Sequence, residues 1–250
     1  MKPNLLILGG TTEASALCKA VHLEGLQATL SLAGRVERPI QTPIPMRIGG
    51  FGGAEGLVDY VNSQSITHIV DATHPFAAQM SANACRASAE TGVPLVAMSR
   101  PPWDEQSGDN WHRVPDIAAA NDWLNGATRR VMLAVGRMHL DAFLPNAQNF
   151  YLLRLVDPPK EPLKFPQHHI IVSRGPFLAK DDCKLMQEFE IELVVSKNSG
   201  GTGAYSKIEA ARKLGLPVLI IDRPSLHYRE EVRTVAEVLS WIHDVTERGV

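Results

Sequence analysis

The first apolar run of the chain is followed by a segment of small and hydroxyl-bearing residues whose composition suits phosphate binding. Residues 5–8 are all apolar, as expected for a parallel strand that is covered on both faces. They lead into Gly9-Gly-Thr-Thr-Glu13, where glycine permits a tight turn and the start of a helix offers free N–H groups to an anion. Because only two adjacent glycines are present, the segment is weaker than a full dinucleotide fingerprint. A nucleotide site and an ordinary strand-to-helix turn both remain open.

The second predicted strand, residues 27–35, ends in polar and basic residues. A carboxylate at this strand end would hold the ribose 2′-hydroxyl of NAD, whereas an arginine suits the 2′-phosphate of NADP. The sequence has no acid here and offers Ser31 and Arg35 instead. If the segment binds a nucleotide, the pattern favours NADP. Otherwise Arg35 is a surface residue that follows a turn.

Two further polar segments follow predicted strands. Asp71-Ala-Thr-His-Pro-Phe-Ala77 comes after a strand over residues 67–71, and a helix is predicted from Pro75 to about Thr91. The carboxyl ends of parallel strands are where such folds bind ligands. The second segment, residues 195–203, combines a lysine with several glycines and hydroxyls. Its backbone N–H groups and lysine charge would form an anion nest, and a flexible surface loop is the alternative.

These segments lie on alternating predicted strands and helices, and the second half of the chain repeats the first. The residues that match in register are Gly92 with Gly215, Pro94 with Pro217, and Arg100 with Arg223. The repeat predicts an α/β fold of two small Rossmann-like domains, each with a doubly wound parallel sheet, over residues 1–125 and 126–250. In the second copy, Gly-Arg-Met-His replaces Gly-Gly-Thr-Thr. The first copy is therefore expected to hold a cofactor, the second a substrate, and the ligand to lie in the cleft between them.

Composition excludes several classes of function. The 250 residues carry a formal net charge of -2, so the chain has no general attraction to nucleic acid or to an anionic membrane. No apolar run approaches the roughly 20 residues that span a bilayer, and no targeting segment is visible before the first strand. The three cysteines, Cys18, Cys85 and Cys183, lie far apart, without disulfide or metal-ligand spacing. We therefore predict no metal site and a cytoplasmic location.

Taken together, these segments make the chain resemble the precorrin-6A reductases of cobalamin biosynthesis, the family that includes the cobalt-precorrin-6A reductases. The segments that carry the resemblance are Gly9-Gly-Thr-Thr-Glu13, Ala33-Gly-Arg35, Gly49-Gly-Phe-Gly-Gly53, Asp71-Ala-Thr-His-Pro-Phe-Ala77, Arg100-Pro-Pro-Trp103, Gly136-Arg137 and Lys197-Asn-Ser-Gly-Gly201. Asn198 departs from the aspartate that is more common in the family, so an acid role at this position is in doubt.

The resemblance implies an NADPH-dependent reduction of one double bond of the precorrin-6A macrocycle, or of its cobalt form, to precorrin-6B. It also implies two Rossmann-like domains that exchange a strand. Residues 93–98 and 216–221 match in register, and equivalent strands could substitute for one another, so we expect these two strands to be the exchanged ones. The sequence does not say whether the macrocycle carries cobalt, and no residue indicates the transient contacts with neighbouring pathway enzymes that a labile intermediate would favour.

For the reaction that the resemblance implies, we assign the candidate site residues to three roles. The expected cofactor-binding residues are Gly9, Gly10, Thr11, Thr12 and Glu13 for the diphosphate, Ser31, Gly34 and Arg35 for the 2′-phosphate, and Asp71 and Thr73 near the nicotinamide. The expected tetrapyrrole-binding residues are His74, Arg100, Arg137, Lys197, Ser199, Gly200 and Gly201. His74 is also the candidate proton donor, because imidazole titrates near neutral pH, although a histidine before proline often only caps a helix.

Two other classes of function remain as alternatives. A nucleotide-sugar transferase or epimerase also uses paired α/β domains, but it would bind UDP-like ligands and show no effect of NADPH. A non-enzymatic regulatory protein would bind NADPH without an anion-binding substrate loop, and residues 197–203 argue against it.

Overall fold

The fold was examined in a computed structural model, which describes residues 2–34, 41–226 and 229–247. The strands in chain order are β1 Asn4–Leu8, β2 Gln27–Leu32, β3 Met46–Ile48, β4 His68–Asp71, β5 Leu95–Met98, β6 Trp111–Val114, β7 Arg130–Ala134, β8 Phe150–Leu155, β9 His168–Val172, β10 Leu193–Lys197, β11 Val218–Ile221 and β12 Glu230–Val232. The helices are α1 Thr12–Leu23, α2 Ala54–Ser63, α3 Ala78–Thr91, α4 Ile117–Trp123, α5 Ala179–Glu188, α6 Ser206–Leu214 and α7 Val235–Glu247, with a 3-10 helix at Arg137–Asn146. Within the described residues, no helix is both long and apolar enough to cross a membrane.

The chain forms two compact units, each with its own six-stranded sheet. The first unit comprises Met1–Arg100 and Ser225–Val250, and the second comprises Pro101–Pro224. The strand order is β12-β5-β4-β1-β2-β3 in the first sheet and β6-β11-β10-β7-β8-β9 in the second, and every pairing is parallel. The predicted α/β class, with two doubly wound parallel sheets, is confirmed.

The first sheet is covered on both faces because successive side chains of a strand point to opposite sides. In β1, Leu5 and Ile7 pack with the apolar sides of α1 and α7. Leu6 and Leu8 point the other way and pack with α2 and α3. An unbroken apolar run is what a strand with two buried faces requires.

The two units have the same topology, which supports the internal duplication. Gly92 ends α3 and Gly215 ends α6, both in the left-handed conformation with φ of 71° and 67°. The carbonyl of Pro94 accepts the N–H of Ile69 at 2.9 Å, and that of Pro217 accepts the N–H of Val194 at 3.1 Å. The repeated Gly-x-Pro therefore ends a helix and starts the pairing of β5 or β11 in the same way.

Strand exchange is present, but the expectation that residues 93–98 and 216–221 are exchanged is wrong. β5 and β11 each lie in the sheet of their own half, buried between two neighbours. The exchanged strands are β6, which joins β11 in the second sheet, and β12, which joins β5 in the first. Both are edge strands, bonded to one neighbour only, so a short segment with exposed polar residues is sufficient.

The exchange also changes the domain limits. We expected a boundary between residues 125 and 126, but β6 and α4 belong to the second unit, and β12 and α7 belong to the first. The first unit is therefore discontinuous. A sequence repeat marks where the copied segment ends, whereas a compact unit ends where the chain stops pairing and packing with it.

Candidate functional site

The start of α1 lies directly after β1 and presents a row of backbone donors. Gly10 has a φ of 118°, and a Cβ added there would meet no atom within 4 Å. Gly9 differs, since a Cβ there would overlap the side chain of Leu30. Within the described residues, the N–H groups of Gly10, Thr11 and Thr12 donate to no protein acceptor. Three such groups at a helix N-terminus form the donor set that a diphosphate requires.

Thr11 ties this turn to the neighbouring strand. Its hydroxyl accepts the N–H of Ala14 at 3.1 Å, which caps α1, and donates to the carbonyl of Ala72 at 2.8 Å. β1 connects to β2 on one side, whereas β4 pairs with β1 on the other. The Thr11–Ala72 bond therefore joins the two chain segments at the topological switch point, where open α/β sheets bind ligands.

Glu13 adds a carboxylate beside these donors, and its charge is compensated. The Arg100 guanidinium donates to both Glu13 oxygens, at 2.9 and 3.0 Å. Burial alone would raise the pKa of the Glu13 carboxyl, but hydrogen bonds from its own backbone N–H and from Arg100 outweigh this and hold the pKa below 4.5. A paired carboxylate repels an incoming anion less than a free one would.

A shallow groove runs past these groups at the carboxyl edge of the first sheet. Its lining residues come from the segments after β1, β4 and β5: Thr11, Glu13, Thr73, Pro75, Met98, Ser99 and Arg100. Members of the predicted cofactor set and the predicted substrate residue Arg100 thus share one groove in the first unit.

Asp71 is the last residue of β4, and its side chain points into the interior of the first unit. One carboxylate oxygen accepts the N–H and the hydroxyl of Thr73, at 3.1 and 2.7 Å. The other accepts the hydroxyl of Ser81 at 2.6 Å and is ion-paired with Arg229. With its side chain fully buried, Asp71 holds the Thr73 turn in shape, and Thr73 is the member of the pair that lines the groove.

His74 follows in the same turn, and its ring has a defined structural role. Nδ1 accepts the N–H of Phe76 at 3.2 Å, and the His74 carbonyl accepts the N–H of Ala77 at 2.7 Å. A neutral ring that accepts at Nδ1 carries its hydrogen on Nε2. The predicted helix from Pro75 begins only at Ala78, because residues 74–77 form this turn.

The region expected to receive the 2′-phosphate contains a cation that sequence reasoning missed. Ser31 is buried near the end of β2, and its hydroxyl accepts from Arg47 on β3 at 2.7 Å. Gly34 lies just beyond, with a φ of 73°. Arg35 lies outside the described residues. The pairing of Ser31 with Arg47 across β2 and β3 was the available signal, but it requires the strand register.

The predicted substrate loop of the second unit is packed against neighbouring residues and held by hydrogen bonds. β10 extends to Lys197, so this residue is a buried strand end, and Ser199 is also buried. Gly200 has a φ of 69°, and a Cβ there would overlap the carbonyl oxygen of Pro101 and the Arg223 guanidinium. The carbonyl of Gly201 accepts the indole N–H of Trp103 at 2.6 Å. The loop thus brings Lys197, Ser199, Gly200 and Gly201 together in one packed segment.

Asn198 explains much of this packing and was missed as a structural residue. Its side-chain oxygen accepts the N–H of Trp103 at 2.7 Å, and its amide nitrogen donates to the Trp103 carbonyl at 3.0 Å. Arg223 donates to the carbonyls of Asn198 and Ser199, each at 3.0 Å. An ionised aspartate cannot donate a hydrogen bond, so the amide is suited to this position.

Arg137 begins the segment that replaces α1 in the second unit. After β7, the chain forms a 3-10 helix, and Gly136 precedes it with a φ of 80°. Arg137 itself is exposed. The second unit thus lacks the regular α-helix N-terminus found after β1. Arg137 and the Lys197 loop both follow strands at the switch point of the second sheet, between β7 and β10.

Comparisons with known proteins agree with this architecture. Residues 4–243 match the family model described as precorrin-6x reductase CbiJ/CobK. A precorrin-6A reductase of Rhodobacter capsulatus is 52% identical over 248 residues, covering 98% of this chain and 99% of the relative. A precorrin-6A reductase of Rhodococcus erythropolis is 44% identical over 246 residues, covering 98% and 99%. A solved structure entitled CobK precorrin-6A reductase superposes with a TM-score of 0.92 at 50% identity, covering 97% of each chain.

Proposed function

The chain belongs to the precorrin-6x reductase CbiJ/CobK family and is therefore an oxidoreductase, and on this premise we propose that it reduces one double bond of precorrin-6A with NADPH, giving precorrin-6B. The substrate follows from the names of the relatives that match along nearly their whole length. Family membership also argues against the transferase, the epimerase and the non-enzymatic regulator.

The observation that supports the cofactor is the row of free donors at the start of α1. The N–H groups of Gly10, Thr11 and Thr12 have no protein acceptor within the described residues and lie at the switch point of the first sheet. They fit the two negative phosphates of a dinucleotide. Asp71 supports the site from inside, because it fixes Thr73 in the groove beside Thr11.

When bound, NADPH supplies the hydride, and the residues of the chain supply position and charge. We assign the groove of the first unit to the dinucleotide. We propose His74 as the proton donor in its imidazolium form, which gives one ring proton to the substrate and is left as the neutral ring. The neutral form with its hydrogen on Nε2 is the one that accepts the Phe76 N–H. Arg100 would meet the reacting side of the substrate from the same groove.

The tetrapyrrole bears several carboxylate arms, so its site needs cations and hydrogen-bond donors. We propose that Arg137 and the loop of Lys197, Ser199, Gly200 and Gly201 provide them in the second unit. This loop is held by Asn198 and Arg223, which limits the freedom that binding would otherwise remove. The names of the relatives favour the metal-free macrocycle over the cobalt form.

A calorimetric titration with NADPH tests the cofactor assignment, with Gly10→Ala and Gly136→Ala as a matched pair. The two glycines lie two residues after β1 and β7, which hold equivalent positions in the two sheets, both have positive φ, and both have open space for a Cβ. We expect NADPH to bind the wild type, Gly10→Ala to lose about tenfold or more in affinity, and Gly136→Ala to be unaffected. A loss of NADPH affinity in Gly136→Ala but not in Gly10→Ala would assign the cofactor to the second unit. If the wild type does not bind NADPH, the cofactor proposal fails.

Turnover assays then distinguish the metal-free substrate from the cobalt-bearing one. Anaerobic assays that follow NADPH oxidation with metal-free and with cobalt-bearing precorrin-6A should show reduction of the metal-free form. Reduction of the cobalt form alone would correct the substrate but keep the reaction. No reduction of either form, with NADPH bound, would overturn the proposed activity.

A further inference from the structure

Arg47 is a half-buried cation at the edge of the first sheet, and the proposed function has so far given it no role. It lies on β3, the edge strand next to β2, and its register partner on β2 is Ser31. The carboxyl end of β2 is where dinucleotide-binding sheets meet the adenosine ribose. Arg47 therefore stands beside the ribose position of the proposed cofactor site.

The guanidinium of Arg47 is held in one orientation by neutral groups. One terminal nitrogen donates to the Ser31 hydroxyl at 2.7 Å and to the Gly49 carbonyl at 3.0 Å. The other donates to the Gly50 carbonyl at 3.1 Å. The Phe51 ring lies under the guanidinium, with its centroid 3.8 Å from Cζ. Stacking and three hydrogen bonds preorganise the cation without neutralising it.

The charge of Arg47 is uncompensated within the described residues. No carboxylate there pairs with it, whereas Arg100 pairs with Glu13 and Arg229 pairs with Asp71 in the same unit. A guanidinium has five N–H donors, and three of them have protein acceptors. Of the two remaining donors, Nε is not among the buried unsatisfied atoms of the described residues, and the residue as a whole is half-buried. A preorganised cation with donors free for an anion is a binding group for phosphate.

We propose that Arg47 binds the 2′-phosphate of NADPH and thereby makes the enzyme prefer NADPH to NADH. This inference rests on the proposed function, because it deepens the cofactor site of the first unit. Ser31, which was expected to contact the 2′-phosphate itself, acts through Arg47 by fixing its terminal nitrogen. The loop Gly49-Gly50-Phe51 follows β3 directly and holds the cation from the other side.

The test measures binding, with ligand pairs that differ only in the 2′-phosphate. Affinities for NADPH, NADH, 2′,5′-ADP and 5′-AMP are determined by calorimetry for the wild type, Arg47→Met and Arg47→Lys. Methionine keeps an unbranched side chain as far as the position of Nε but removes the charge and the donors. Arg86→Met serves as the control, because Arg86 is an exposed arginine of the same unit and its removal changes the net charge equally.

We expect Arg47→Met to weaken NADPH and 2′,5′-ADP by about tenfold to a hundredfold, while NADH and 5′-AMP stay unchanged. Arg47→Lys, which keeps the charge but not the fork of donors, should lose less. Equal losses for all four ligands would show that Arg47 only shapes the glycine loop, and this would overturn the inference. Unchanged binding in Arg47→Met would do the same, as would loss of the NADPH preference in Arg35→Ala alone.

The failure of the proposed function can be distinguished from these outcomes. A wild type that binds neither NADPH nor 2′,5′-ADP removes the cofactor site and this inference together. If the wild type binds both ligands and Arg47→Met binds them with the same affinities, this inference alone fails. Thermal unfolding of each variant identifies a folding defect, and in that case Arg47→Lys and Ser31→Ala supply the comparison of NADPH with NADH.

Discussion

Asp71 and Arg229 form an ion pair buried within the first unit, although they are far apart in the chain. The Asp71 side chain is fully buried, and that of Arg229 is 8% exposed. Asp71 ends the central strand β4, and Arg229 immediately precedes the exchanged strand β12. The pair therefore anchors the returning C-terminal segment to the turn that carries Thr73 and His74. Strand exchange and the geometry of the groove depend on the same carboxylate.

Removal of the Arg229 guanidinium should destabilise the first unit strongly. Arg229→Met leaves the Asp71 carboxylate buried without its counter-charge, so we expect the free energy of unfolding to fall by about 3–5 kcal/mol. The double variant Asp71→Asn with Arg229→Met should recover part of this loss, because the remaining group is neutral. Urea denaturation measures both. Glu231→Gln is the control, since the Glu231 side chain is 53% exposed and its ion pair with Arg229 should contribute less than about 1 kcal/mol. A loss in Arg229→Met no larger than in the control would contradict this account.

The fold was largely predictable because its signals are local, whereas the exchange is not. Apolar runs such as residues 5–8, and the matched Gly-x-Pro segments, are visible in the sequence and led to the correct class. β6 and β12 are short and carry exposed polar residues, so neither gives the pattern of a buried strand. Only three-dimensional pairing distinguishes an edge strand that crosses to the other sheet from one that stays.

Protonation of Glu13 should weaken the first unit as the pH falls. The pKa of this carboxyl is lowered in the folded state, so its contribution to stability is fully present above its ordinary value of 4.5 and is lost as the pH falls through the folded-state pKa. Between about pH 6 and about pH 3, the wild type should lose more free energy of unfolding than Glu13→Gln. Urea denaturation across this range checks the difference. Arg100→Met should reduce the same slope, and parallel curves for all three proteins would contradict the role of the pair.

Gly200 should be irreplaceable for a steric reason. Its φ is 69°, and a Cβ would overlap backbone at Pro101 and the guanidinium of Arg223. Gly200→Ala should therefore destabilise the second unit by about 2–4 kcal/mol and disturb the loop that presents Lys197. Gly203→Ala is the matched control, because a Cβ there meets nothing within 4 Å. Thermal and urea unfolding provide the comparison. Equal stability of the two variants would show that the loop shifts to accommodate the added Cβ.

The site was only partly predictable, because residue type does not reveal side-chain direction. Asp71 was correctly placed at the end of a strand, yet its carboxylate points inward to Arg229 and Ser81. Arg47 is one residue of a short edge strand, and only the strand register shows that it lies beside Ser31. Asn198 has two backbone bonds to Trp103 that depend on a contact between residues distant in sequence.

The imidazole of His74 combines a structural and a proposed catalytic role, and one substitution separates them. In His74→Asn, the side-chain oxygen can replace Nδ1 as acceptor for the Phe76 N–H, while Nε2 is lost. We expect kcat to fall by about a hundredfold or more, because general acid catalysis contributes factors of this size, while NADPH binding and stability are retained. Steady-state kinetics across a pH range should also show the loss of one limb of the kcat profile. His74→Phe removes both functions and should lose stability in addition. If His74→Asn keeps full kcat and His74→Phe does not, the ring only shapes the turn, and the proton must come from another group of the enzyme or from water.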